Sequence, residues 1–147
     1  MRRKDKAVSD HQDILKIIRS CQVCRLALSQ DNKPYLVPVC FGYDGRSIFF
    51  HTALKGKKID IISVNNDVCF EFETNVAVIA DETAPCDWSC SFQSIIGFGT
   101  VHELTTKDEK IEGLIHIMRQ YSEKKWAFEN IPLNGVKVWK ITIDSMT

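Results

Sequence analysis

Between Tyr35 and Lys58 the chain reads YLVPVCFGYDGRSIFFHTALKGKK, and this stretch constrains the fold more than any other. Leu36, Val37, Val39 and Phe41 give a strand its bulky apolar residues, while Pro38 removes one backbone donor and directs that strand to an edge or a bulge. Main-chain groups there stay free for a ligand. Asp44-Gly45 marks a tight turn, because glycine reaches positive φ without steric cost, and Ser47 to Thr52 returns as the partner strand. Then the chain changes character. Ala53-Leu54-Lys55-Gly56-Lys57-Lys58 leads into Ile59, Ile61, Ile62 and Val64, the apolar residues of a short helix. Three ammonium groups at a helix start oppose the positive end of its macrodipole unless an anion sits among them. A phosphate would resolve that conflict. A solvated helix face is the plainer alternative, and the residues alone leave both open.

The elements on either side are mostly β. Ser9-Asp10-His11-Gln12 has the form of a capping box before Ile14, Ile17, Ile18 and Cys21, which recur at helical spacing. Val23 to Ser29 alternates, with Cys24, Leu26 and Leu28 on one face, and Gln30 to Pro34 breaks it as a turn. Val68 to Glu73 alternates apolar and acidic residues, as a half-buried antiparallel strand does. Asn75 to Phe92, with Pro85, Trp88 and two cysteines, reads as irregular and able to arch over a pocket. Ser94 to Leu104 is a long strand whose Gly97 and Gly99 permit a sharp bend or the close approach of another backbone. Thr106-Lys107-Asp108-Glu109 opens a second amphipathic helix, with Ile111, Leu114, Ile115, Met118 and Tyr121 as its apolar stripe. Asn134-Gly135 is a turn, and Val136 to Ile143 is the last strand. These six strands lack the βαβ rhythm of a dinucleotide fold. A small antiparallel β-barrel with flanking helices fits them.

Charge and composition narrow the partners. The 147 residues, 44% of them hydrophobic, suffice for one domain spanning 1–147. Nineteen basic and nineteen acidic side chains cancel, so no global field draws the chain to nucleic acid or an anionic membrane. No apolar run approaches the ~20 residues that span a bilayer, and MRRKDKAVSD lacks the apolar stretch of a signal peptide. A cytoplasmic protein is expected. In that reducing compartment the six cysteines read as free thiols rather than disulfides. Cys21, Cys24, Cys86 and Cys90 fit zinc spacing poorly, so no metal is expected, and Cys40 and Cys69 read as small apolar strand residues.

In this order along the chain, Arg25-Leu26-Ala27, Pro34 to Val39, Phe41-Gly42-Tyr43, Phe49 to Ala53, Gly56 to Asp60, Val68-Cys69-Phe70 and Ser94 to Gly99, together with Met1 to Lys4, carry a resemblance to a known family. The chain resembles the FMN-binding split β-barrels related to pyridoxamine 5′-phosphate oxidase, and within them the nitroimidazole-resistance (Nim-type) reductase branch. The resemblance implies a six-stranded Greek-key split barrel and a homodimer with FMN in grooves at the subunit interface. It also implies site residues. Val37, Pro38, Val39, Cys40 and Phe41 would offer backbone to the flavin ring. Phe50, His51 and Thr52 would flank it, Lys55, Lys57 and Lys58 would hold the phosphate, and Ser94 would approach from a neighbouring strand.

The activity implied is reduction of a small acceptor, such as a nitroaromatic, with NAD(P)H as electron donor. A non-catalytic carrier of flavin or haem is the alternative, since split barrels of this kind also handle haem. The sequence ends at Thr147 without the arginine-bearing segment with which the oxidase grips its vitamin substrate, so pyridoxamine phosphate oxidation is not expected. His51 is the one expected catalytic residue, as a proton relay beside the flavin, although a histidine satisfied in the core would look the same in sequence. His11, His102 and His116 read as surface residues. Trp88 can stack on a ligand or simply pack.

Overall fold

The computed structural model describes residues 7–8, 10–128 and 131–147. Helix α1 spans His11–Ser20. Strands β1 (Cys24–Gln30) and β2 (Lys33–Val39) form a hairpin whose turn residues Asp31 and Asn32 both have positive φ, as a two-residue turn of this hand requires. Strands β3 (Phe41–Tyr43) and β4 (Ser47–Thr52), helix α2 (Lys57–Val64), strands β5 (Asp67–Ile79) and β6 (Ser89–Leu104), helix α3 (Lys107–Tyr121) and strand β7 (Lys137–Met146) follow. All strand pairs are antiparallel, in one sheet ordered β2-β1-β5-β6-β7-β4-β3.

Strands β2 and β3 stand at opposite edges of that sheet, yet Cys40 alone separates them in sequence. Two Cα–Cα steps span at most ~7 Å, so the seven-stranded sheet must curl until its edges meet. The result is a split barrel, with seven strands where the sequence suggested six. The difference is the break at Cys40, which divides the stretch read as one strand. Cys40 is exposed at this corner rather than packed in a strand. Pro38 lies on the edge strand β2, where its missing donor costs no ladder bond.

Inward-facing residues fill the barrel. Leu26, Phe41, Phe50, Phe70, Phe72, Ile95 and Ile141 are fully buried, and the Phe41 and Phe72 rings stand 4.7 Å apart. Gly97 and Gly99 face the same interior. A Cβ on Gly97 would strike the Phe70 ring, and one on Gly99 would strike the Thr142 carbonyl, so both glycines serve close approach.

Helix α1 is capped by Asp10, whose carboxylate accepts from the amides of Gln12 (2.8 Å) and Asp13 (3.1 Å). The expected serine cap falls on Ser9, outside the described residues, as do Met1 to Lys4. Thr106 and Glu109 do form the reciprocal capping box expected for α3. The face that α3 buries is rotated from the expected stripe. Gly113 and Ile117 are its buried residues, while Ile111, Leu114, Ile115 and Met118 are only half-buried and Tyr121 is exposed. Two glycines account for the rotation, since Gly113 sits against Val138 and Leu104, and Gly42 of β3 touches the α3 backbone at His116 and Ile117. His116 accordingly stacks on Phe49 with ring centroids 4.7 Å apart, and is no incidental surface residue.

The region from Asn75 to Phe92 is more regular than its composition suggests. Strands β5 and β6 continue past the barrel as a two-stranded ribbon, pairing Ala77 with Ser91, Val78 with Cys90 and Ile79 with Ser89. A bulge between Thr74 and Ala77, with Asn75 at positive φ, separates ribbon from barrel. Among the described residues no helix is long and apolar enough to cross a membrane.

Candidate functional site

The site is built where β4 runs into α2. Gly56 caps the helix with φ +146, a conformation that side-chain-bearing residues rarely adopt, and no side chain caps the helix start. The amides of Ile59 and Asp60 donate to the Gly56 carbonyl at 2.8 and 3.2 Å. Those of Lys57 and Lys58, first and second in the helix, have no intrahelical acceptor, as helix geometry dictates. None of Lys55, Lys57 and Lys58 forms an ion pair with a described residue. Unclaimed amides, a positive dipole end and neighbouring ammonium groups make a donor set that suits a phosphate dianion.

The lysines divide between two walls. Lys57 reaches toward β2, its ammonium 4.8 Å from the centre of the Tyr35 ring, and lines a cleft of about 320 Å³ with Gln30, Lys33, Tyr35 and Asp60. Lys58 acts on the end of β4, where its charge reaches His51. His51 is exposed at the end of β4, yet neighbouring atoms take enough water from it that burial is the first cause of its lowered pKa, with Lys58 the second. Both favour the neutral imidazole. His51 is therefore biased toward the neutral imidazole, which at neutral pH can accept a proton on one ring nitrogen or donate the N–H of the other.

The neighbouring residues are less available than the sequence implied. Phe41, Phe50 and Val39 are buried in the core, so only their backbone could meet a ligand. The Phe41 amide is already used, donating to the Tyr121 hydroxyl (2.9 Å), which donates in turn to the Gln22 carbonyl (2.9 Å). Burial pushes the Tyr121 pKa up to about 12, so the hydroxyl keeps its proton for that bridge. Thr52 is buried with its hydroxyl committed, donating to the Ala53 carbonyl (2.8 Å) and accepting from the Trp139 indole (3.0 Å). It braces the turn into α2. Val37 is half-buried, while Pro38 and Cys40 are exposed.

Ser94 stands apart. His51 is in register with Val138, and Val138 with Leu104, which lies ten residues along β6 from Ser94, or ~33 Å of strand. One protomer does not bring Ser94 and His51 together through this face of the sheet. Sequence reasoning also missed Tyr35, which seats the Lys57 ammonium. Its signal was present in the alternation that places Tyr35 on the inner side of β2 with Val37 and Val39.

Among the described residues no group of three or more His, Cys, Asp or Glu side chains is placed to hold a metal ion. The described cysteines form no disulfide. Cys21 and Cys24 are buried, and burial raises both thiol pKa values.

Comparison with known proteins agrees with this architecture. The family model described as pyridoxamine 5′-phosphate oxidase matches residues 10–147. A candidate 5-nitroimidazole antibiotic resistance protein from Bacteroides thetaiotaomicron superimposes with a TM-score of 0.83 at 29% identity, covering 95% of this chain and 82% of that one. A flavocytochrome from Azotobacter vinelandii (TM-score 0.70, 18% identity, 95% and 66% covered) shares the fold. So does a FAD- and heme-binding protein from Mycobacterium smegmatis (TM-score 0.73, 14% identity, 95% and 70% covered). No curated protein matches the sequence.

Proposed function

Because the chain belongs to the pyridoxamine 5′-phosphate oxidase family, whose model spans residues 10–147, we propose that it is an FMN-dependent oxidoreductase working as a homodimer. It takes electrons from NAD(P)H and passes them to a small acceptor such as a nitroaromatic. The observation that carries this reading is the start of α2, where the free amides of Lys57 and Lys58 and their ammonium groups form an anion cradle beside His51. The similarity to the candidate nitroimidazole-resistance protein supports the choice of acceptor.

Flavin bound here would supply hydride acceptance and electron transfer, and the protein would supply position and charge. Lys57 and Lys58 would neutralise its phosphate, each charge-assisted contact contributing about 1.5–3 kcal/mol. Tyr35 limits the excursions of Lys57 through a cation–π contact of about 0.5–1 kcal/mol. Thr52 and Trp139 fix the backbone that carries His51. His51, neutral at working pH, can hold a hydrogen bond to the ring edge or accept a proton there.

Absorbance titration with FMN, riboflavin and FAD tests the cradle. FMN should bind at least tenfold tighter than riboflavin, and equal affinities would remove the phosphate from the reading. Steady-state NAD(P)H oxidation with a nitroaromatic acceptor then separates a reductase from a carrier of flavin or haem, for which turnover would stay at background. His51→Ala at saturating FMN should keep the cofactor and slow acceptor reduction. The inflection lost from its pH profile should lie below the ordinary histidine value of about 6.5, because both causes of the shift oppose protonation. An unchanged rate and profile would leave His51 a structural residue.

A further inference from the structure

Past the end of α3 the chain folds back on the helix it has just left. The Ser122 amide donates to the Met118 carbonyl at 2.9 Å and closes the last turn. The Ser122 hydroxyl accepts from the Lys124 amide (3.2 Å) and from the Trp126 indole (3.3 Å), which holds the indole across the helix end. Phe128 is buried and anchors the returning segment. Between helix and segment lies a cavity of about 420 Å³, within the ~300–1,000 Å³ of small-molecule sites. Ile115, Met118, Trp126 and Phe128 give it apolar walls, yet Trp126 stays 45% exposed where Trp139, packed in the barrel, is 5%. The rim is cationic. Arg119, Lys124 and Lys125 stand there against Glu123 alone, and none of the three cations forms an ion pair with a described residue. The helix dipole favours a cation in the last turn of α3 and so accounts for Arg119, but that field fades within the turn and does not explain Lys124 and Lys125 beyond the cap. The Lys124 ammonium is 4.3 Å from the centre of the Trp126 ring, so charge and aromatic face are presented together.

We propose that this cavity binds a small aromatic carboxylate, its ring against Trp126 and Met118 and its carboxylate among the cations of Arg119, Lys124 and Lys125. Charge selects the head group, since three cations against one carboxylate favour an anion over an amine. The planar fork of Arg119 suits the two oxygens of a carboxylate. The walls select the body. A flat ring stacks on an indole and meets a thioether at its edge, whereas a bare phosphate would leave the apolar walls unfilled. The site is separate from the flavin cradle. Gly113 of α3 packs against Val138, which is in register with His51, and Ser122 lies nine residues further on, ~14 Å along the helix. No residue of the cavity is among those that would hold flavin, so the two ligands should bind without competing.

Calorimetric titration of the full chain with 2-naphthoate, with and without FMN, tests the proposal, and 2-naphthamide, decanoate and inorganic phosphate are the comparison probes. The naphthoate should bind once per chain and at least roughly tenfold tighter than the uncharged amide, because only the acid makes charge-assisted contacts. Inorganic phosphate should give no signal, and saturating FMN should leave the naphthoate affinity unchanged. Lys124→Gln and Trp126→Ala should each weaken the naphthoate by roughly fivefold or more while FMN binding holds. Both side chains are exposed, so each variant should fold, as its thermal melt will show. Absence of saturable binding up to millimolar naphthoate would overturn the site. Equal affinity for the amide would do the same, because the cationic rim would then select nothing. Competition by FMN, or an affinity untouched in both folded variants, would place the ligand elsewhere and overturn the assignment to the end of α3. Tighter binding of decanoate than of naphthoate would put an acyl chain against Trp126 and overturn the aromatic body.

Discussion

Gly42→Ala is expected to destabilise the fold by about 3 kcal/mol or more, the upper end of what overpacking costs. The added Cβ would fall on the His116 carbonyl and the Ile117 amide, at separations no real Cβ shows. These are backbone atoms of the middle of α3, and they cannot rotate away. To make room the helix must lift from β3, which would open the Phe49–His116 stack, expose Ile117 and stretch the bond from the Phe41 amide to the Tyr121 hydroxyl. For a chain of this size, 3 kcal/mol corresponds to roughly 6–12 °C in Tm. Gly135→Ala is the control, because a Cβ there meets nothing within 4 Å and the residue has no positive φ. It should fall within about 0.5 kcal/mol of the wild type. A Gly42→Ala protein as stable as that control would show that α3 does not sit on β3 as described.

That contact also marks where sequence reading stops. The capping box of α3 was legible because Thr106 and Glu109 answer each other within one turn. The alternation of β1 was legible for the same reason, since burial of Cys24, Leu26 and Leu28 follows from period two alone. The buried face of α3 was not, because hydrophobic periodicity counts side chains and this helix docks through glycine, where there is none to count. The division of Lys33 to Tyr43 into β2 and β3 was equally hidden. Every residue from Leu36 to Phe41 suits a strand, and only the long-range pairing of β2 with β1 and of β3 with β4 reveals the corner at Cys40. Asn75 and Pro85 made the ribbon look like a loop. Its pairing is set by the register of β5 and β6 far below it, which no local window contains. At the candidate site the lysines were legible as an electrostatic conflict, whereas their separation into a Tyr35 wall and a His51 wall depends on how the barrel closes.

That separation makes Lys57 and Lys58 distinguishable by experiment. Each alanine variant should weaken FMN at least tenfold, through the loss of a charge-assisted contact of about 1.5–3 kcal/mol, while riboflavin binding hardly changes. The double variant should lose about a hundredfold or more, provided the two contacts act independently. The helix amides remain in both, so some preference for FMN over riboflavin should survive even in the double variant. Beyond affinity the two diverge. Lys58 is one of the two causes that lower the His51 pKa, so Lys58→Ala should move that titration upward toward 6.5. Lys57, held over Tyr35, contributes no such shift, and Lys57→Ala should leave the histidine where it was. Histidine C–H resonances followed by NMR through pH 4.5–8 report this without cofactor or turnover, with His51→Ala assigning the signal. A Lys58→Ala protein in which the His51 titration stays fixed would place the lysine too far away to act on it. The phosphate cradle and the imidazole would then be two separate features of the surface, and charge at α2 would have no route into the chemistry at His51.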